Sequence, residues 1–113
     1  MQYLLLIYSD EAKFDPSEGP KYMAFTEAIK TSGNYIGGNP LQSVKTATSV
    51  RVRDGKTAIT DGPFAETREQ LGGYYLIEAA HLDEATAIAA RIPGAKIGTI
   101  EVRPIMSMHA PAK

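Results

Sequence analysis

Two stretches of the chain are apolar on both of the faces that a β-strand would present. Residues Tyr3 to Tyr8 form an unbroken apolar run that ends at Ser9, and the segment Gly73 to Ala80 is apolar at nearly every position. Runs of this length suit strands better than helices. A strand is apolar on both faces only where both of its sides are covered. The pattern therefore predicts that these are the two central strands of a sheet.

Two other segments carry apolar residues at helical spacing. The first begins near Lys21 and ends before Gly33, which is a typical C-terminal cap. The second follows Asp83, a predicted N-cap, and stops before Pro93 and Gly94. The apolar stripes are Tyr22, Phe25 and Ile29 in the first helix and Ala85, Ile88, Ala89 and Ile92 in the second.

The clearest local signal is a β-hairpin. In the sequence TATSVRVRDGKTAIT, two alternating runs flank Asp54-Gly55, the pair that a type I′ turn favours. That turn predicts Arg53 opposite Lys56, Val52 opposite Thr57, Arg51 opposite Ala58 and Val50 opposite Ile59. The valines and Ile59 then share one face of the hairpin, and the two arginines share the other.

The order of these elements predicts an α+β fold. Weaker strand signals at Tyr35 and Ile36 and at Thr99 to Ile105 suit the edges of a sheet. The arrangement is that of a ferredoxin-like antiparallel sheet with two helices on one face. Two helices cover only that face, so the apolar residues of the other face are expected to stack against a second copy, which gives a homodimer.

Composition and charge exclude several classes of protein. The length of 113 residues suits a single domain, residues 1–113, and the formal net charge of −1 gives no field that would attract nucleic acid or an anionic membrane. The N-terminal apolar run is too short for a membrane span and lacks the basic region of a signal peptide, so the cytoplasm is the expected location.

Without cysteine, and with only His81 and His109, no metal site is expected. The glycine pairs match no phosphate-binding motif, so no cofactor is expected.

The segment Asp61 to Gly72 is the strongest candidate for a functional loop. It is polar, bounded by glycine, and dense in charge. We predict that Asp61 and Glu66 supply acid-base groups and that Arg68 contacts a ligand. The alternative is a plain turn in which Phe64 plugs the rim of the core and the charges are solvated.

A second set of candidates follows from strand alternation. Tyr8, Tyr74, Arg51 and Arg53 are predicted ligand-binding residues on the sheet face away from the helices; the predicted face also carries Glu78, Glu101 and Arg103. Carboxylates and arginines enclosed in one cleft can act as acid, base and anion clamp. The alternative is a set of interfacial salt bridges. For His81, the alternative to catalysis is capping of the second helix.

A family resemblance covers nearly the whole chain. Its core is the continuous sequence DGPFAET at residues 61–67, preceded by RVRDGKTAIT and followed by REQLGGYYLIEAA. The opening MQYLLLIYSDE matches as well. In these residues the chain resembles the DGPF branch of the YCII-related family. The resemblance implies a ferredoxin-like protomer within a dimeric α+β barrel.

The resemblance implies two different functions. Members of the wider family look like small enzymes, some with a proposed His-Asp pair in the barrel cleft, but the first helix of this chain, KYMAFTEAIKTSG, has no histidine. That mechanism therefore does not carry over. One hypothesis is an enzyme or binder that takes an unidentified small molecule and uses carboxylate acid-base groups. The other follows from the association of the DGPF branch with sigma-factor genes, and is a non-catalytic dimeric accessory or regulatory module.

Overall fold

Six strands and two α-helices make up the part of the chain that the structure describes. The computed structural model describes residues 1–107, and His109 lies outside this range. Within it, no helix is long and apolar enough to cross a membrane. In chain order the elements are β1 (Gln2–Ser9), α1 (Gly19–Thr31), β2 (Tyr35–Pro40), β3 (Thr48–Arg53), β4 (Lys56–Asp61), β5 (Gln70–Glu78), α2 (Leu82–Ala89) and β6 (Thr99–Pro104).

The main sheet has four antiparallel strands in the order β2-β5-β1-β6. Strand β1 lies between β5 and β6, with Leu5 opposite both Tyr75 and Val102. The prediction of β1 and β5 as the central pair is therefore confirmed, as is the α+β class. The helices follow these two strands, as in a ferredoxin-like arrangement. The sheet is open at β2 and β6, so the single chain does not form a closed barrel.

Both helices pack on the same face of this sheet. Alternate residues of β1 and β5, including Leu5 and Ile77, meet Phe25 and Ile29 of α1 in one buried cluster with the apolar side of α2. Burying one such aliphatic side chain contributes about 1.5 to 3 kcal/mol. The Phe25 and Tyr75 rings meet edge to face, with centroids 5.2 Å apart. The helix-bearing face is thus closed by the chain itself, whereas no helix of residues 1–107 covers the opposite face.

The start of α2 differs from the sequence prediction. The N-cap is His81 and not Asp83, which lies in the first turn. His81 has extended backbone angles, as an N-cap requires, and its Nδ1 accepts the Glu84 N–H at 3.2 Å. The Glu84 carboxylate in turn accepts the Ala80 N–H at 2.8 Å. The capping interpretation of His81 is confirmed, because its ring nitrogen fills the role that was assigned to Asp83.

Strands β3 and β4 form a separate two-stranded sheet. Asp54 and Gly55 have φ angles of 52° and 74°, and all four predicted cross-strand pairs are present. The radius of gyration is 16.4 Å, whereas a compact chain of this length has one of about 13 Å. The hairpin therefore extends away from the main body, and it is not part of the four-stranded sheet.

Replacing Gly55 with valine is expected to destabilise the hairpin by about 1 kcal/mol or more, since a β-branched residue resists positive φ. Because the hairpin is a separate sheet, the measurement is hydrogen exchange of its own amides, which should become about fivefold faster. Lys56→Val places the same side chain at the next position, outside the turn, and should not accelerate exchange. Equal protection in Gly55→Val and the parent protein would contradict the prediction.

Candidate functional site

The two faces of the β3–β4 hairpin differ in chemistry. The cross-strand register puts Arg51, Arg53 and Lys56 on one face, which we call the basic face. Val50, Val52 and Ile59 lie on the other, the apolar face, with exposed fractions of 61%, 58% and 69%. Such exposure of three neighbouring aliphatic residues is unusual for a strand surface. Both faces therefore have a chemistry suited to binding another molecule.

A cavity of about 260 Å³ lies at the base of the hairpin on its basic face. The loop after β4 forms part of its wall and is joined to β3 and to the residue before it by two hydrogen bonds. Gly62 N–H donates to the Ala47 carbonyl at 2.7 Å, and Ser49 Oγ of β3 donates to the Gly62 carbonyl at 2.9 Å. We call this space the hairpin cavity. Its lining residues are Ser49, Arg51, Ala58, Thr60, Pro63 and Phe64.

The predicted acid-base residues do not line the hairpin cavity. Asp61 ends β4 opposite Thr48, so its position alternates to the apolar face and not to the basic face. Glu66 and Arg68 are exposed in the loop between β4 and β5. Within residues 1–107, none of these three side chains forms a hydrogen bond or an ion pair. The structure therefore places Arg51 beside Pro63 and Phe64 of the loop, but not beside Asp61, Glu66 or Arg68.

The far end of the loop is fixed to the main body by Gln70 and Glu11. The Gln70 amide oxygen accepts the Glu11 N–H at 2.9 Å, and its nitrogen donates to the Thr67 carbonyl at 2.6 Å. The Glu11 carboxylate accepts hydrogen bonds from Val44 N–H at 2.9 Å and Ser43 Oγ at 2.8 Å. These bonds lower the pKa of Glu11, the Val44 N–H having the largest effect. Glu11 thus links three connecting segments, a role that the sequence analysis missed because its partners are distant in sequence.

Tyr8 and Tyr74 lie on the helix-free face of the main sheet. Tyr74 is opposite Leu6, and its hydroxyl accepts a hydrogen bond from Asn39 Nδ2 at 3.0 Å. On neighbouring β6, Glu101 and Arg103 form an ion pair at 3.5 Å. The prediction that Arg51 and Arg53 share this face is wrong, because β3 belongs to the hairpin sheet.

Metal ligands are not grouped in the described part of the chain. Among residues 1–107, no three His, Asp or Glu side chains lie close enough together to hold a metal ion. The ring nitrogen Nδ1 of His81 is engaged as a helix cap. The polar groups that line the hairpin cavity are the Arg51 guanidinium and the hydroxyls of Ser49 and Thr60. The Ser49 hydroxyl donates its hydrogen to the Gly62 carbonyl, so the donors open to a ligand are those of Arg51 and Thr60, which suit an anion.

The stretch that carries both sheets and both helices matches a known family of proteins. A family model for the YCII-related domain matches residues 1–109. An uncharacterized protein of Rhizobium meliloti (strain 1021) is 36% identical over 116 aligned residues, which cover 93% of this chain and 92% of that protein. The chain therefore belongs to the YCII-related family.

Proposed function

We propose that this protein binds a small anionic molecule in the hairpin cavity and works as a homodimer. The observation that carries the proposal is the presence of Arg51 in a cavity that also holds the Ser49 and Thr60 side chains. Within residues 1–107 the Arg51 guanidinium has no hydrogen-bond or ion-pair partner. Its planar set of donors matches a carboxylate in a bidentate geometry.

The size of the cavity and its aromatic wall support a small ligand. Pockets for drug-sized ligands have volumes of about 300 to 1,000 Å³. The hairpin cavity, at about 260 Å³, suits a smaller molecule. Phe64 borders the cavity with its side chain 81% exposed. A ligand that contacts this ring would remove apolar surface from water, which is favourable. The expected ligand therefore has a carboxylate for Arg51 and a short apolar part for Phe64.

The catalytic form of the proposal assigns acid-base roles to Asp61 and Glu66. Its support is that these carboxylates flank Pro63 and Phe64, the loop residues of the cavity wall. Both belong to the segment DGPFAET, on which the resemblance to the DGPF branch rests. Arg68, Arg53, Tyr8 and Tyr74 stay as proposed ligand contacts outside the cavity. Binding requires only Arg51 and the hydroxyls, so binding and catalysis are separable by mutation.

A screen of small carboxylic acids by thermal shift, with Kd by calorimetry for those that bind, tests this proposal. Arg51→Gln should weaken binding about tenfold or more, since a hydrogen bond to a charged group contributes about 1.5 to 3 kcal/mol. Arg103→Gln removes the same charge from β6 of the main sheet, outside the cavity, and should leave Kd nearly unchanged. Equal Kd values for Arg51→Gln and the parent would exclude this site.

The carboxylate variants separate binding from chemistry in the same assay. Asp61→Asn and Glu66→Gln should leave the melting temperature nearly unchanged, because neither side chain has a partner in the described chain. If the two residues are catalytic, these variants bind the acids found in the screen but do not convert them. Unfolding of both variants would mean that the carboxylates are structural.

The homodimer is supported by the helix-free face of the main sheet. Leu4 and Leu6 of β1 and Leu76 of β5 lie there side by side, each only half-buried in the single chain. In the described part of the chain no helix covers them, because both of its α-helices contact the other face. Stacking this face against that of a second copy would remove the apolar side chains from water. Such a face-to-face arrangement of two open sheets is the dimeric α+β barrel that the family resemblance implies.

The apolar face of the hairpin favours a second candidate function, that of an accessory or regulatory module. Val50, Val52 and Ile59 form an exposed apolar strip on a projecting arm, which suits contact with another protein. Under this alternative, Val52→Lys would abolish binding to that other protein but leave the homodimer intact. A carboxylic acid that binds through Arg51 would instead favour the small-molecule proposal.

A further inference from the structure

A second groove, unrelated to the hairpin cavity, lies between the first half of α1 and the segment that follows α2. Its volume is about 380 Å³. We call it the helix groove. Phe25, which is part of the buried core, contributes to its lining. The full set of lining residues is Glu18, Lys21, Ala24, Phe25, Arg91, Pro93 and Lys96.

The helix groove is strongly basic, although the whole chain has a formal charge of −1. Lys21, Arg91 and Lys96 face a single carboxylate, that of Glu18. This carboxylate is already paired with Lys21, at 2.8 Å from Nζ to Oε2. In the described chain, the Arg91 and Lys96 side chains have neither a hydrogen-bond nor an ion-pair partner. The groove therefore holds two unneutralised cations.

The Arg91 guanidinium lies near the Phe25 ring, and its hydrogen-bond donors are available. Its guanidinium carbon lies 5.8 Å from the centroid of the Phe25 ring, within the range of a cation–π contact. The Phe25 side chain is fixed by burial, with an exposed fraction of only 6%. Within residues 1–107, no protein group accepts a hydrogen bond from the N–H groups of the Arg91 guanidinium. Those N–H groups can therefore bind an oxyanion in a bidentate manner.

We infer that the helix groove binds a small molecule that carries a phosphate monoester. A phosphate monoester has a charge of about −1.5 to −2 at pH 7, which balances the two unpaired cations, Arg91 and Lys96. Its oxygens match the guanidinium edge, and Lys96 provides a second, flexible cation. The volume of 380 Å³ exceeds that of a phosphate group alone, so the rest of the ligand lies along Pro93 and Ala24. This inference does not depend on the proposed function of the hairpin cavity.

The test is a titration of the full chain with phenyl phosphate, inorganic phosphate and benzoate. Amide chemical shifts, measured by NMR, locate the binding site, and calorimetry measures Kd. Phenyl phosphate should bind most tightly, because it has both the dianion and an apolar ring, and benzoate least tightly at this site. The shift changes should centre on the amides of Lys21, Phe25 and Lys96. For phenyl phosphate, Arg91→Gln should raise Kd about tenfold or more and Lys96→Gln about threefold.

Two further variants distinguish a built site from general charge attraction. Arg91→Lys keeps the charge but loses the bidentate edge, and should still weaken binding of phenyl phosphate about fivefold. Arg103→Gln, on β6 of the main sheet and outside both cavities, removes the same charge elsewhere and should leave this Kd unchanged. The inference is overturned if benzoate binds the groove as tightly as phenyl phosphate, or if Arg91→Gln and Arg103→Gln have equal effects.

Discussion

Replacing Leu6 with lysine is expected to convert a dimer into a monomer or to cause aggregation. Leu6 lies on the central strand β1, on the helix-free face, opposite Tyr74 and Glu101. In the single chain the new ammonium group could pair with Glu101 across the strands, so the protomer should still fold. In a face-to-face dimer, two such charges would lose their water, at a cost of several kcal/mol each. We therefore expect dimer affinity to fall by roughly a thousandfold or more.

Light scattering at micromolar concentration measures this effect directly. The parent protein should have twice the 12.2 kDa mass of one chain, and Leu6→Lys the mass of one chain. Met23→Lys is the matched control, because Met23 is a large apolar residue that is 72% exposed on α1, away from the helix-free face. It should remain dimeric. A parent protein of 12.2 kDa would refute the homodimer, and a dimeric Leu6→Lys would place the interface on another surface.

The strands and turns that could be predicted are those determined by local chemistry. The segment Tyr3 to Tyr8 is apolar on both faces. This pattern indicates a central strand, because both faces of such a strand are covered by other parts of the protein. Asp54-Gly55 fixes the hairpin register because few other pairs adopt positive φ at both positions. Each of these signals lies within fewer than ten residues. They therefore do not depend on how distant parts of the chain are arranged.

The placement of the hairpin could not be predicted by the same reasoning. Alternation shows that Arg51 and Arg53 share a face of β3, but it does not show which sheet contains that strand. The interpretation that put them beside Tyr8 and Tyr74 assumed one continuous sheet. The structure instead has a separate hairpin, so Arg51 meets Phe64 of the following loop and not the tyrosines.

Side-chain competition at helix ends was equally hard to predict. Asp83 is a stronger N-cap by residue type than His81, but the chain is already helical at Leu82. Only the residue before the first helical position has its side chain placed to accept the free N–H groups, and that residue is His81.

The helix groove could not be predicted for a different reason. Lys21 and Lys96 come from opposite ends of the chain, and only the packing of α1 against the segment after α2 brings them together.

Gly98→Ala is expected to destabilise the protein by about 2 to 3 kcal/mol, since overpacking at a site that cannot move typically costs about 1 to 3 kcal/mol and occasionally more. Gly98 lies in the turn before β6, where its N–H donates to the Gly94 carbonyl at 2.8 Å. A Cβ atom there would overlap the carbonyl oxygen of Tyr8 and lie 3.0 Å from the Cβ of Ser9. The first of these neighbours is backbone of a central strand, so it cannot rotate away as a side chain could.

The melting temperature of Gly98→Ala should fall by about 10 °C or more, because 1 kcal/mol corresponds to about 4 to 8 °C in a domain of this size. Gly37→Ala is the matched control, since apart from its chain neighbours no atom lies within 4 Å of the new Cβ, and Gly37 lies in the edge strand β2 without a positive φ. It should melt at the same temperature or slightly higher, because alanine restricts the unfolded chain. If Gly98→Ala and Gly37→Ala have the same melting temperature, the turn moves freely to make room for the new Cβ, and the close approach of Gly98 to Tyr8 does not hold β6 in register beside β1.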